Sequence, residues 1–389
     1  MDIVVSAPVS RTRHGAIRPD FVLIGSVTAL AALGVLMIFS ASVGNVADLG
    51  LGSSPDAQRQ LVFILAGAVV FAAASLVEER PMRLAAPIAY LAVVALLLLV
   101  LTPLGTEVRG AQRWLQLGSF QLQPSELAKP ALILALAALL GSDPDEQLPW
   151  RRIVQTMAVL LPLAALVAVQ PDLGTSIVFL FVTPILLFLA GASLRQLGGI
   201  LLAGAAGLLV AMQTGFFAFK DYQIARLTAF LDPAADQLTL NYNQLQSKLT
   251  IGSGGLFGKG LFEGDQTNLS FVPHQTTDFI FTAVGEQLGF LGAAIVIGLF
   301  AVIVWRLLMI AATANSRFGR LFAAGVAGLI AFHVFVNIGM TVGMLPVTGL
   351  PLPFMSQGGS SVIAMMAAVG LAHSFRIHRS PVPGERRLL

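Results

Sequence analysis

The segment from Thr250 to Asp278 contains the residues best suited to chemistry. It reads TIGSGGLFGKGLFEGDQTNLSFVPHQTTD, a glycine-rich polar stretch that ends on a carboxylate where a long apolar segment begins. A lone acid at the rim of a membrane-spanning segment is a candidate for proton transfer or for holding a cation. The alternative is structural, because an Asp before an apolar run can also cap the helix that follows.

Other polar residues have spacings that suggest a site. Glu126 and Lys129 lie three residues apart, so they share one face of a helix and can pair. A paired charge at membrane depth is costly and usually functional, although a purely structural pair stays open. Asp172 follows Pro171 and could cap a helix or contact a substrate. His333 and Asn337 are one turn apart, which favours a hydrogen bond between helices over a catalytic role.

Composition predicts that helices in a membrane must position these residues. The chain is 56% hydrophobic and only 11% charged, which is too apolar for a soluble globule. Continuous rather than alternating apolar runs exclude a β-barrel. The prediction is therefore an all-α integral membrane protein of about ten transmembrane helices. They lie near residues 20–42, 60–77, 84–102, 127–140, 153–169, 173–190, 195–213, 279–305, 321–344 and 359–375. The fourth is short and is expected to be shielded by its neighbours.

The distribution of basic residues predicts the topology. Most Arg residues of the short connections fall on one side, whereas the short segments on the other side hold Arg59, Arg109, Arg113 and Lys129. The positive-inside rule then puts both termini in the cytoplasm. We expect cytoplasmic tails at 1–19 and 376–389, one membrane domain over 20–375, and outer segments at 103–126 and 214–277. The latter, a large extracytoplasmic loop between helices 7 and 8, has apolar residues that suggest contact with the membrane surface or the helices.

Basic and aromatic side chains on the predicted outer side could bind a charged substrate. The candidate charge partners are Arg109, Arg113, Lys129, Lys248 and Lys259, and a divalent cation such as Mg²⁺ or Mn²⁺ could assist them. Trp114 could anchor at the interface or contact substrate, and the Gly-Ser stretch containing Ser360 suits either a substrate cleft or helix packing. The glycines around Lys259 do not form a nucleotide loop, since Ser253 replaces the first required glycine. The chain has no cysteine and hence no thiol nucleophile.

Several short motifs follow one another along most of the chain. They are GAQRWLQLG at 110–118, QPSELAK at 123–129, QPDLGT at 170–175, NYNQLQSKLTIGSGGLFGKGL at 241–261, FVPHQTTDFIFTAVGEQLGFLG at 271–292 and NIGMTVGMLPVTGLPLPFMSQGGSS at 337–361. Together they resemble the SEDS family of cell-wall polymerases. The sequence GMLPVTGLPLPF is more similar to the RodA-type elongation branch of that family than to its FtsW-type division branch.

The resemblance implies a fold of ten transmembrane helices and an activity. The activity is a peptidoglycan glycosyltransferase that polymerises lipid II on the outer face of the bacterial cytoplasmic membrane. The carboxylate matching Asp278 is the essential acid of the family, and its proposed role is to deprotonate the acceptor sugar hydroxyl. The implied partner is a class B penicillin-binding protein, a transpeptidase. No organic cofactor and no nucleic-acid partner is expected.

Two positions depart from the family pattern. Thr276 stands where His is common before Thr-Asp-Phe, and Gln357 stands where the family has Tyr in Ser-Tyr-Gly-Gly-Ser. Two other classes of function stay open at this point. One is a flippase that moves lipid II across the membrane, and the other is a non-enzymatic scaffold for wall synthesis. The concentration of polar residues at the outer helix ends disfavours transport, which usually uses a site at the midplane.

Overall fold

The structure, a computed structural model, describes residues 19–43, 54–108, 111–118, 120–142, 147–214, 242–269 and 271–379. Ten long helices account for most of these residues, and each coincides with one predicted span. They are α1 (Phe21–Val43), α2 (Pro55–Ser75), α3 (Glu79–Val100), α4 (Pro124–Leu140), α5 (Trp150–Val169), α6 (Leu173–Leu189), α7 (Leu194–Gln213), α10 (Ile280–Thr313), α11 (Arg317–Thr341) and α12 (Gly359–Ile377). Two short helices, α8 (Tyr242–Ser253) and α9 (Asp265–Asn268), lie between α7 and α10.

The helical membrane architecture predicted from composition is confirmed, and the only strands among the described residues form one small sheet outside the long helices. Seven described helices are long and apolar enough to cross a membrane, namely α1, α2, α3, α5, α10, α11 and α12. Helix α4 has only 17 residues and packs against α3, α5, α6, α11 and α12. Most of its side chains are buried, so the expected shielding of this short helix by its neighbours is also confirmed. Because α4 is central, the polar residues near its start are held from several directions.

The segment 103–126 contains secondary structure that was not predicted from the sequence. It contains a three-stranded antiparallel sheet of β1 (Gly105–Val108), β2 (Ala111–Leu117) and β3 (Phe120–Leu122), with β2 in the middle. The strands are only three to seven residues long and the register shifts near Thr106. Strands this short leave too weak a period-two pattern to be recognised from sequence. The sheet leads directly into α4 and therefore fixes where that helix begins.

Helix α10 is interrupted at Gly289, and the preceding loop provides hydrogen-bond partners for the backbone groups at the interruption. Gly289 has φ 65° and ψ −164°, a conformation open to glycine but strained for other residues. Across the break, Lys259 N–H donates to Glu286 O at 2.9 Å, and Phe290 N–H donates to Gly255 O at 2.9 Å. Backbone groups freed within a membrane helix must find new partners. The part of the 214–277 loop from 254 to 260 supplies them, so this part folds back against the helices.

Polar residues are concentrated at one end of the bundle. At this end α2, α4, α6, α10 and α12 begin and α11 ends, and we call it the Asp278 end. At the opposite end, Arg306 of α10 forms an ion pair with Asp20, with Nε 2.9 Å from Oδ2. His373 of α12 accepts a hydrogen bond from Asp20 N–H at 2.9 Å and contacts Ser75 of α2 at 3.1 Å. These contacts join α2, α10 and α12 at the far end, next to the start of α1.

Candidate functional site

Asp278 lies in a tight turn just before α10. The turn begins at His274, whose φ of 60° is in the left-handed region. The carbonyl oxygen of His274 accepts hydrogen bonds from the N–H groups of Thr277, Asp278 and Phe279 at 3.1 to 3.3 Å. Phe279, not Asp278, occupies the N-cap position of α10. The N-cap alternative for Asp278 is therefore wrong, because the carboxylate precedes the cap and belongs to the turn.

Three separate contacts hold this turn in place. Gln275 donates to Thr267 Oγ1 at 3.0 Å, Thr276 donates to Gln357 Oε1 at 2.9 Å, and Asn337 donates to Asp278 O at 2.8 Å. The contacts reach α9, the segment before α12, and α11. A non-glycine residue with positive φ persists only where its surroundings fix it, and such residues cluster at functional sites. The Asp278 turn meets both conditions.

The chain between α11 and α12 forms the facing wall of the site. Asn337 donates its second amide hydrogen to Leu350 O at 2.8 Å, so one side chain ties Asp278 to this segment. Gly349 has φ 75°, and a Cβ added there would lie 3.7 Å from Asp278 Oδ2. The carboxylate therefore lies next to Gly349, whose missing side chain leaves space beside it. Such a wall lets a substrate approach the acid closely.

Glu126 and Lys129 form the pair that their spacing predicted. Lys129 Nζ lies 2.6 Å from Glu126 Oε1, and the Lys129 side chain is fully buried. Lys129 Nζ also lies 3.3 Å from His333 Nε2, while His333 Nδ1 lies 3.1 Å from Pro351 O. This network assigns the proton of neutral His333 to Nδ1, which leaves Nε2 to accept from Lys129. Lys129 is thus connected through α11 to the same segment that faces Asp278.

Asp172 and Arg113 have structural contacts at this end. Asp172 caps α6, since Oδ1 accepts from Thr175 N at 3.2 Å, and it also accepts from Ser125 at 2.9 Å. Arg113 donates to Gln170 O at 2.8 Å and to Pro171 O. The capping interpretation of Asp172 agrees with these contacts. Together the two side chains join the sheet, the start of α4 and the start of α6.

The remaining predicted residues are distributed around the same end. Ser360 accepts from Gln123 N and donates to Gln121 O, both at 3.0 Å, so it packs α12 against the sheet. Trp114 is half-buried in β2, opposite Thr106. Lys248 is exposed and lies beside Gly343, where an added Cβ would be 2.9 Å from its Cδ. Arg109 lies outside the described residues.

Glu286 was missed by sequence reasoning. Its carboxylate is fully buried and accepts from Lys259 Nζ at 3.0 Å, Gln266 N at 3.0 Å and Thr267 N at 2.8 Å. The hydrogen bond with Glu286 is the main reason why the pKa of Lys259 is raised. Lys259 therefore holds the loop to α10, and its charge is already paired with Glu286 rather than available to a substrate. The available signal was an acid in the middle of an apolar run, which is expensive unless it is paired.

The arrangement brings some predicted residues together and separates others. Asp278, Lys129 and Glu126 are connected through Asn337 and His333 of one helix face. Within the described residues no group of three or more His, Cys, Asp or Glu side chains could hold a metal ion. Chemically, the site offers one positioned carboxylate beside open backbone, supported by a buried ion pair. Such a carboxylate can accept a proton from a bound hydroxyl.

Comparison with known proteins gives consistent relatives. The family model described as cell cycle protein, FtsW/RodA/SpoVE, matches residues 21–380. The peptidoglycan glycosyltransferase MrdB of Escherichia coli is 38% identical over 373 residues, which cover 96% of this chain and 97% of MrdB. A solved peptidoglycan synthase complex that coordinates polymerization and crosslinking contains a chain with a TM-score of 0.76 and 32% identity. That match covers 94% of this chain and all of the other. The rod shape determining protein RodA of Thermus thermophilus has a TM-score of 0.68 and 31% identity, over 94% and 99% of the two chains.

Proposed function

The chain belongs to the FtsW/RodA/SpoVE family of cell cycle proteins, the SEDS family, and we propose that Asp278 is the general base of its polymerase reaction. The chain is a peptidoglycan glycosyltransferase of the bacterial membrane, as the relatives that it matches along almost their whole length are named. Its substrate is lipid II. The observation that carries the proposal for Asp278 is the turn from His274 to Phe279, which three neighbouring elements hold rigidly.

The reaction needs a base more than it needs an acid. The 4-hydroxyl of the acceptor GlcNAc attacks the anomeric carbon of the donor as Asp278 takes the hydroxyl proton. The bond between the anomeric carbon and the pyrophosphate breaks, and undecaprenyl pyrophosphate leaves. A positioned general base contributes about 10²- to 10⁴-fold. Pyrophosphate leaves without the protonation that glycosidases must supply, so a second carboxylic acid is dispensable.

Cationic groups would stabilise the departing pyrophosphate. Lys248 is exposed at the Asp278 end, whereas the charge of Lys129 is already matched by Glu126. We assign the Glu126–Lys129 pair a supporting role, since Lys129 reaches the wall of the site through His333. Breaking this pair would move the wall, not remove a substrate contact.

A divalent cation fits this site only as one that arrives with the substrate. Mg²⁺ is commonly held by one or two carboxylates together with substrate phosphates, and Asp278 would supply the carboxylate. Such a cation would neutralise charge on the pyrophosphate. The protein residues would then bind and orient the sugar hydroxyl and keep the carboxylate at the right distance.

The wider setting of the reaction is also part of the proposal. We assign the chain to cell elongation, on the resemblance of GMLPVTGLPLPF to the RodA-type branch. The similarity to a chain of a complex that coordinates polymerization and crosslinking supports a class B penicillin-binding protein as partner. The distribution of Arg and Lys supports cytoplasmic termini, which puts the Asp278 end at the outer surface.

One experiment separates the polymerase from its two rivals. Purified protein, with its transpeptidase partner and Mg²⁺ or Mn²⁺, is incubated in vesicles with labelled lipid II, and both glycan chain formation and lipid translocation are measured. A polymerase makes glycan chains. A flippase moves labelled lipid II without joining it, and a scaffold does neither. Either of the last two results would overturn the proposal.

A further inference from the structure

We propose that Gln357 is a positioning residue for Asp278, acting through Thr276 and anchored by Asp56. This inference rests on the proposed function, because it concerns how the base of that reaction is held. Gln357 lies just before α12, Asp56 lies in the first turn of α2, and Thr276 lies two residues before Asp278. The three side chains form one continuous hydrogen-bonded chain from a helix end to the Asp278 turn.

The hydrogen bonds of Gln357 use both ends of its side-chain amide. Nε2 donates to Asp56 Oδ1 at 2.8 Å, and Oε1 accepts from the Thr276 hydroxyl at 2.9 Å. The Gln357 backbone N–H also donates to Thr276 O at 2.9 Å. The Asp56 carboxylate can only accept a hydrogen bond, so the NH₂ group of the Gln357 amide must face it. The amide oxygen then faces Thr276 and can itself only accept, so the Thr276 hydroxyl must be the donor. Gln357 is therefore hydrogen-bonded to Thr276 through both its backbone and its side chain.

Helix α2 keeps Gln357 itself from moving. Gln60, one turn after Asp56, donates to Ser356 O at 3.0 Å and accepts from Gly358 N at 3.2 Å. Gln60 is fully buried, and its amide binds the backbone of the residues immediately before and after Gln357. A fully buried amide satisfied at both ends is a rigid anchor. Displacing Gln357 would thus require breaking several contacts with the start of α2.

The effect can reach Asp278 because the Asp278 turn has few residues. Thr276 and Asp278 are both in the turn that closes on the carbonyl oxygen of His274, and Asp278 N–H donates to that oxygen at 3.1 Å. Movement of Thr276 therefore rotates the following peptide units. A displacement of about 1 Å at a reacting group can cost about a hundredfold in rate. A positioning residue two positions away can hence act on the rate of the chemical step.

The test is a set of variants in the lipid II polymerisation assay, with kcat and KM measured separately. Thr276→Val removes the hydroxyl at nearly constant shape, Gln357→Leu removes the amide, and Thr276→Ser keeps the donor. We expect each of the first two to lower kcat about tenfold with KM for lipid II changed less than about twofold, since a lost hydrogen bond corresponds to about this factor. Thr276→Ser should stay within about twofold of wild type, and the double variant should be no slower than its slower parent.

Several results would overturn this inference. They are an unchanged kcat for Thr276→Val, equal losses for Thr276→Val and Thr276→Ser, or effects that multiply in the double variant. If a variant does not fold, Asp56→Ala and Asp56→Asn replace it, with a lower kcat expected only where no acceptor oxygen is left. Failure of the inference is distinct from failure of the proposed function. In the first case Asp278→Ala is inactive while Thr276→Val is normal, and in the second Asp278→Ala polymerises as well as wild type.

Discussion

Asn337 donates one amide hydrogen to Asp278 O and the other to Leu350 O, each at 2.8 Å. A single buried side chain of α11 thus sets the distance between the turn that carries the carboxylate and the segment that faces it. One turn away on the same helix, His333 joins Pro351 O to Lys129. The site is built around one face of α11, although its proposed catalytic residue is not on that helix.

Removing the amide of Asn337 should impair both stability and turnover. Asn337→Leu leaves two carbonyl oxygens without their donor, and a buried unsatisfied group costs about 1–3 kcal/mol. We expect a lower apparent melting temperature in detergent and a lower kcat. Phe335→Ala, which changes an exposed residue of the same helix, is the control and should alter neither quantity appreciably. Equal effects of the two substitutions would contradict the role assigned to Asn337.

The break in α10 gives a matched pair of glycine substitutions. At Gly289 a Cβ would lie 2.2 Å from Gly258 N in a strained backbone conformation, whereas at Gly298 nothing lies within 4 Å. We therefore expect Gly289→Ala to detach the loop from α10, while Gly298→Ala should be neutral or slightly stabilising. Limited proteolysis of residues 254–268 and the monodisperse yield measure the difference. Comparable behaviour of both variants would show that the loop is not held by this break.

The helices could be predicted from sequence, but the break and the sheet could not. An apolar run of about 20 residues has few alternatives in a bilayer, so the ten spans followed from length and composition. Gly289 lies within such a run and looks like any glycine of a membrane helix. Its special conformation depends on the loop from 254 to 260, a tertiary contact that no local pattern encodes. The short strands of 105–122 were not predicted for a related reason, because each is defined by the strand with which it pairs.

Breaking the buried ion pair should cost more than removing it. Lys129→Met leaves Glu126 buried without its partner, and such a change typically destabilises by about 3–5 kcal/mol. The double variant Glu126→Gln, Lys129→Met removes both charges and should recover part of the melting temperature. Thermal unfolding of the two variants in one detergent checks this order. A double variant less stable than Lys129→Met would show that the charges act independently.

Stability at alkaline pH should depend on Lys259. Its pKa is raised, chiefly by the hydrogen bond with Glu286, so the folded protein binds this proton more tightly than the unfolded chain does. This contribution is complete below the unfolded pKa of about 10.4 and is lost as the pH rises through the raised pKa. Wild-type melting temperature should therefore fall more steeply above about pH 10 than that of Lys259→Met. The exposed Lys248→Met is the control and should keep the wild-type slope.

The site was predictable in its charged members and unpredictable in its connections. Asp278 stood out because an acid at the rim of a span is rare, and Glu126 with Lys129 because of helical spacing. From the sequence alone, Asp172 and Arg113 cannot be told from substrate-binding residues. In the structure their contacts connect the sheet and α6. Asn337, Gln357 and Glu286 act through partners between 19 and 301 positions away. Neutral amides and paired acids of this kind carry no local signal for such partners.

The most direct measurement of the central claim is lipid II polymerisation by the purified protein, with its transpeptidase partner and Mg²⁺ or Mn²⁺, when Asp278 is intact or changed to Asn. Asp278→Asn keeps the size and shape of the side chain but replaces one carboxylate oxygen with an amide that cannot take up the proton. We predict glycan chains from the wild-type protein and a loss of at least about a hundredfold for the variant, the lower range for a missing general base. Melting temperatures within a few degrees of each other would show that both proteins are folded. A folded Asp278→Asn protein that polymerises at the wild-type rate would contradict the account.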